Sequence, residues 1–313
     1  DIDGEDPLQL DMADITLEGA NTSFQIHYRV LPQLFADTFN AIQLVTPLAL
    51  AVGANSPTLF GHNLWQETRI PLFKQSIDTR QVDRYTWNEP ARVNFGQGWV
   101  RHVYPPLLPV CSPRPGLKEG GAPALAELRL HQSTVWLWNR PVYDSADGGH
   151  LRIEMRALPA GPTAVDMAAN AAFLIGLAEG MRADINSVLP AIPFAIAEYN
   201  FYRAAQHGLD ARLVWPDNRR SGYEEQAVTA IIEHLLPTAR EGLESIGIAP
   251  GEVARYLGVI AHRLERRQTG ATWQRAKLAS LKQSMPMKAA LHGMLEEFIA
   301  RSRENLPVAE WQL

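Results

Sequence analysis

The sequence predicts an α+β fold, with an antiparallel sheet flanked by helices and a helical C-terminal third. Three observations carry this. Residues 151–156 and 23–30 alternate strictly between apolar and polar side chains, the period of a strand with one buried face. Residues 34–52 and 163–182 are rich in Ala, Leu and other apolar residues over lengths that suit buried helices. From residue 198 onward the chain reads as successive helices punctuated by Gly and Pro.

Taken in order, an acidic opening (1–14) precedes a strand over 22–30, with Phe24, Ile26, Tyr28 and Val30 on one face and Ser23, Gln25, His27 and Arg29 on the other. The helix over 34–52 is expected to break near Pro47, because proline removes a backbone donor, and to end at Gly53-Ala54-Asn55-Ser56-Pro57. Residues 61–121 hold many Gly, Pro, Trp and Arg without a sustained period, which predicts a long irregular excursion of the kind that forms lids. A hairpin follows, with strands over 133–140 and 151–157 and a turn over 144–149. These two strands and the one over 22–30 are expected in one antiparallel sheet, with His27, Arg140 and Glu154 on one face and Trp138 in the same cleft. Pro159 and Pro162 close the strand, and a helix over 163–182 carries Asp166 in its first turn. Further helices are expected over 198–208, 223–246, 251–270, 271–284 and 287–305. The organisation follows as a sheet region with its lid-like loop over 1–190 and a helical region over 191–313 packed on it. Arg263, Arg266, Arg267 and Arg275 read as a solvated basic face.

Composition narrows the function classes. At 313 residues, with 46% hydrophobic and 20% charged side chains, the chain is an ordinary globular protein of one large or two smaller domains. A net charge of -5 without a long basic run argues against a nucleic-acid partner. No apolar run is read as long enough to span a bilayer, so no membrane partner is expected. The single cysteine, Cys111, excludes an internal disulfide framework and a cysteine-based zinc cluster. It fits a cytoplasmic setting and, among prolines, reads as an incidental loop thiol. Nine scattered histidines argue against a metal-dependent hydrolase. The chain lacks an initiator Met, and Asp1 is taken as a truncated start.

The chemistry concentrates in Arg152-Ile153-Glu154-Met155-Arg156, whose polar face is one carboxylate between two guanidiniums. As a solvated strand face this is an ion pair of little energetic weight. As a site, the carboxylate suits a hard cation such as Mg2+, and the two planar guanidiniums suit phosphate or carboxylate oxygens. Bland alternatives stand beside the others too. His27 suits a hydrogen-bonded core histidine, Trp136 and Trp138 suit packing, Asn200 and Arg203 suit a helix-to-loop contact, and Glu18 suits a turn cap.

Several pieces together resemble glutamate-cysteine ligase family 2. They are Leu17-Glu18-Gly19-Ala20-Asn21-Thr22-Ser23-Phe24-Gln25-Ile26-His27, Ala54-Asn55-Ser56-Pro57 with Arg69 downstream, and Arg152 to Arg156. Two weaker pieces are Asn200 to Ala211 and Thr269-Gly270-Ala271-Thr272-Trp273-Gln274. The resemblance implies a glutamine-synthetase-like catalytic sheet on which ATP and Mg2+ meet an amino-acid carboxylate. It implies Glu154 and Glu18 as metal ligands, with Arg156, Arg152 and His27 at the reacting groups. It further implies Gln25, Arg69, Arg140 and Trp138 as nucleotide contacts. The expected activity is ATP-dependent ligation, in which glutamate is activated as an acyl phosphate for an amine acceptor. A non-catalytic nucleotide-binding or assembly module is the alternative, and a homo-oligomer is compatible with either. The chain departs from the family in having no Glu-x-Glu strand before Glu18, so it is expected to lack the family's N-terminal part.

Overall fold

A 3-10 turn (Thr16–Ala20) leads to β1 (Ile26–Val30) and then α1 (Phe35–Gly53) in the computed structural model, which describes residues 1–78, 80, 91–101, 135–144, 148–216 and 223–313. Helix α1 is buried almost throughout. Pro47 lies inside it without breaking it, contrary to expectation, because burial on nearly every side sets the helix's length more than local propensity does. Strand β2 (Thr58–Leu59) pairs with β3 (His62–Asn63) at the start of the stretch expected to be irregular, which also contains α2 (Arg69–Ser76) and β4 (Val93–Asn94). Eight residues are too few for a helical period to show among prolines and glycines, yet α2 buries Arg69, Ile70, Leu72 and Phe73. The rest of the expected lid, residues 79, 81–90 and 102–121, lies outside the described residues, and Cys111 with it.

Strands β5 (Trp136–Leu137), β6 (Asn139–Asp144) and β7 (His150–Met155) follow. The main sheet is antiparallel in the order β1-β7-β6. The strand that pairs with β7 is therefore 139–144 rather than 133–140, while β5 pairs in parallel with β4. Pro141 concealed this from the sequence, but β6 is an edge strand, where a missing N–H is tolerated.

The remaining elements are α3 (Ala164–Arg182), α4 (Ile185–Val188), α5 (Phe194–His207), β8 (Arg212–Pro216), β9 (Tyr223–Ala227), α6 (Val228–Ser245), α7 (Pro250–Arg266), α8 (Gly270–Leu281) and α9 (Met287–Glu304). Residues 223–227, expected to be helical, instead form a ladder with β8. Asn200 of α5 holds that ribbon, bonding both the N–H and the carbonyl of Val214 at 2.9 Å.

One hydrophobic core joins these layers. Leu151, Ile153 and Met155 pack with α1, and the same cluster takes in α3, α5, α6 and α7 as far as Leu264, so it runs through the expected division at residue 190. Helices α3 and α6 touch through glycines, since a Cβ on Gly242 would overlap the Gly176 carbonyl. A separate cluster of Trp273, Met294, Val308 and Trp311 secures α8 and α9. The stretches Pro32–Gly53 and Ala164–Arg182 are, against expectation, long and apolar enough to cross a membrane by length and composition. The first is 89% buried within the protein, as a core helix is.

Of the four arginines read as a solvated basic face, Arg266 is exposed, while Arg263, Arg267 and Arg275 have separate partners. Arg263 is 1% exposed and donates to Asp166 at 2.8 Å, to Asn170 at 2.5 Å and to the Val52 carbonyl at 3.0 Å. Arg267 pairs with Asp210 and Arg275 with Glu5.

Candidate functional site

Cross-strand register decides which side chains meet. His27, Glu154 and Arg140 stand opposite one another across β1, β7 and β6, and Arg29, Arg152 and Val142 form the next row. Residues in register share a face, so this face carries Glu154 among arginines and His27, with Asp144 and His150 in a third row. Asn139, one position along, points the other way and donates to Thr46 on α1 at 3.0 Å and also to Gln43.

Glu154 is 3% exposed. Arg140 Nε and Nη2 both reach its Oε2, at 2.7 and 2.5 Å, while Arg156 Nε lies 3.5 Å from Oε1. The Arg156 guanidinium sits over the Phe73 ring, 5.6 Å from its centroid. Its Nε and Nη1 are buried and have no hydrogen-bond acceptor among the described residues. Burial above all holds the Arg156 pKa below its usual value. The Arg140 and Arg69 charges push the same way, and Glu154 and, more weakly, Glu18 oppose them. Guanidiniums stay protonated in proteins, so a cation so placed gains from an anion that reaches it.

A second ionic pair lies deeper. Glu67 is fully buried, and Arg69 is 5% exposed. Glu67 accepts from Ser56 Oγ at 2.7 Å, the Asn55 N–H at 2.9 Å and Arg69 Nε at 3.2 Å. Burial raises the carboxyl pKa and lowers that of the guanidinium, and each is partly offset by the other. Asn55 donates to the Ala160 carbonyl at 2.8 Å and accepts Gln274 Nε2 at 2.9 Å on both its backbone and side-chain oxygens. The Ala271 N–H completes this latch on the Ala54 carbonyl at 3.0 Å. Thr269 caps α8 there in a reciprocal pair with Thr272.

The structure thus brings His27, Arg140, Arg152, Glu154 and Arg156 onto one face. Gln25, His27 and Glu18 are exposed, and Glu18 lies in the 3-10 turn. Arg152 is engaged by protein: Nε donates to His27 Nδ1 at 3.1 Å, and Nη1 meets Asp144 at 3.0 Å and His150 Nε2 at 3.1 Å. Two expected nucleotide contacts are corrected. Trp138 is 1% exposed and packs against Phe73 and Phe201, so its ring faces are covered by protein rather than open to a base. Arg69 is spent on Glu67 and the Ala157 carbonyl, with its guanidinium 5.4 Å from the Trp138 ring centroid. Sequence reading missed Glu67, Phe73, Asp144 and His150. Only the nearness of Glu67 to Asn55-Ser56 and Arg69 in the chain could have signalled any of them.

The expected Mg2+ does not fit these side chains. Among the described residues no group of three or more His, Cys, Asp or Glu is placed to hold a metal. Mg2+ takes near-octahedral oxygen ligands, yet both Glu154 oxygens face guanidiniums. Unit charges 4 Å apart interact by about 4 kcal/mol at an effective dielectric near 20, so a dication on Glu154 would meet roughly twice that opposition from each arginine. An oxyanion of phosphate or carboxylate, by contrast, matches the arginine forks.

An antiparallel sheet with arginines gathered on one face, backed by helices, defines an α+β protein equipped to handle anions. The chain belongs to glutamate-cysteine ligase family 2 (GCS2), whose family model matches residues 21–301. Membership implies the ligase fold and carboxylate-amine ligase activity. No curated protein matches the chain.

Proposed function

We propose that this protein is an ATP-dependent ligase of glutamate-cysteine ligase type. In the reaction a phosphoryl group moves from ATP to a glutamate carboxylate, giving ADP and an acyl phosphate. An amine then attacks the acyl carbon, forms the C–N bond, loses a proton and releases inorganic phosphate. Such chemistry needs no protein nucleophile and rests on positioning and on neutralising oxygen charge. The carrying observation is the part-buried guanidinium of Arg156, close to Arg140, Arg69 and Glu154, whose buried Nε and Nη1 have no hydrogen-bond acceptor among the described residues. Arg156 would orient an incoming phosphoryl or carboxylate group, with Arg140 adding charge beside it. His27 and Gln25, exposed on the same margin, would meet the rest of a substrate. Mg2+, which this type of ligase implies, is assigned no ligand here.

ADP release from the purified protein across amino-acid pairs tests the proposal. We expect release with glutamate and one amine, falling by about 10²-fold in Arg156→Ala, the usual cost of removing one charge-stabilising donor. If ADP binds but no pair yields turnover, the second reading holds, a nucleotide-binding module without catalysis. The engagement of both Glu154 oxygens by Arg140 and Arg156 is the observation that supports that second reading.

A further inference from the structure

Within that anion-binding face, the role of Glu154 can be separated from metal chemistry. Its carboxylate is buried, and both oxygens point at arginines: Arg140 takes Oε2 through two N–H groups, and Arg156 approaches Oε1. Two guanidiniums so close repel, and one of them lies against the Phe73 ring. A single carboxylate between them offsets that repulsion and fixes where each fork points. The free valence is then on Arg156, whose Nε and Nη1 are buried without hydrogen-bond acceptors among the described residues.

We propose that Glu154 is a positioning residue. It orients Arg140 and Arg156 so that they receive an oxyanion directly, with no divalent cation on its own oxygens. The ligand class is a phosphoryl or carboxylate group. This rests on the anion-binding part of the ligase proposal and not on the chemistry done there. Arg152 does not substitute, because His27, Asp144 and His150 already engage it.

The test uses the intact protein in EDTA, titrated calorimetrically with inorganic phosphate and separately with L-glutamate, and then with Mn2+ alone in buffer free of chelator. We expect phosphate, glutamate or both to bind in EDTA, and which of them binds identifies the source of the oxyanion. Glu154→Gln should weaken that binding about tenfold, as loss of a charge-assisted contact does, while Glu154→Asp recovers part of it. Mn2+ binding should be the same in wild type and Glu154→Gln. Wild-type phosphate and glutamate binding that is absent in EDTA and appears on adding Mg2+ would overturn the proposal, even if the variants fail to fold. So would Mn2+ binding that is lost in a folded Glu154→Gln protein. Oxyanion binding as expected without ADP release from any amino-acid pair would sink the ligase reading and leave this one standing.

Discussion

Among single residues, Tyr28 shows how far environment outruns residue type. It lies on the inward face of β1 and donates to Glu179 Oε1 at 3.0 Å, while Arg182 holds the other carboxylate oxygen at 2.9 Å. Burial first, and the Glu179 charge second, push the phenol from 10.0 up to about 12. The fold therefore favours the neutral phenol. Its contribution to stability is complete below the unfolded value of 10.0 and is lost as pH rises through about 12. Denaturant midpoints should fall over that interval in the wild type and fall less in Tyr28→Phe; equal slopes would refute the assignment. The alternation of residues 23–30 already placed Tyr28 inward and His27 outward. It could not supply Glu179, whose position depends on a helix 151 residues further along. Arg263 makes the same point, because an arginine in a basic run reads as surface until the buried Asp166 opposite it is known.

The legible elements were those whose signal is local. The alternation of residues 151–156, the Ala-rich run of α3 with its Thr163 cap, and Gly208 after α5 each carry their own period or punctuation. Strands β8 and β9 and helix α2 were not legible as such, since they are short and owe their form to partners distant in sequence. The arginine face was readable as residue types, and its register made them neighbours. Its supporting latch was visible only as disconnected motifs. Gly270 shows why one of those motifs has the residues it has. A Cβ there would overlap Asn55 Oδ1, the atom that accepts from Gln274. Gly270→Ala should displace the Asn55 side chain and cost about 2 kcal/mol, the worth of two hydrogen bonds at about 1 kcal/mol each. Urea unfolding measures this, and a variant as stable as the wild type would show that the latch carries no weight.

For the molecule as a whole, the sheet and its arginines sit on α1, and α1 belongs to a core shared by α3, α5, α6 and α7. The site therefore inherits its geometry from elements spread over most of the chain, which is why no single segment of sequence announces it. Where α3 and α6 meet at Gly176, Gly180 and Gly242, backbone lies against backbone, with the Leu243 and Thr238 side chains packed against the glycines. Peptide groups packed this closely leave no room for solvent between the helices, so they open only when the whole core does. Amide hydrogen exchange should therefore be slowest along this contact, at the free energy of global unfolding, and faster in the N-terminal residues 1–20. Comparable protection in both places would mean that the glycine seam is no more closed than the surface.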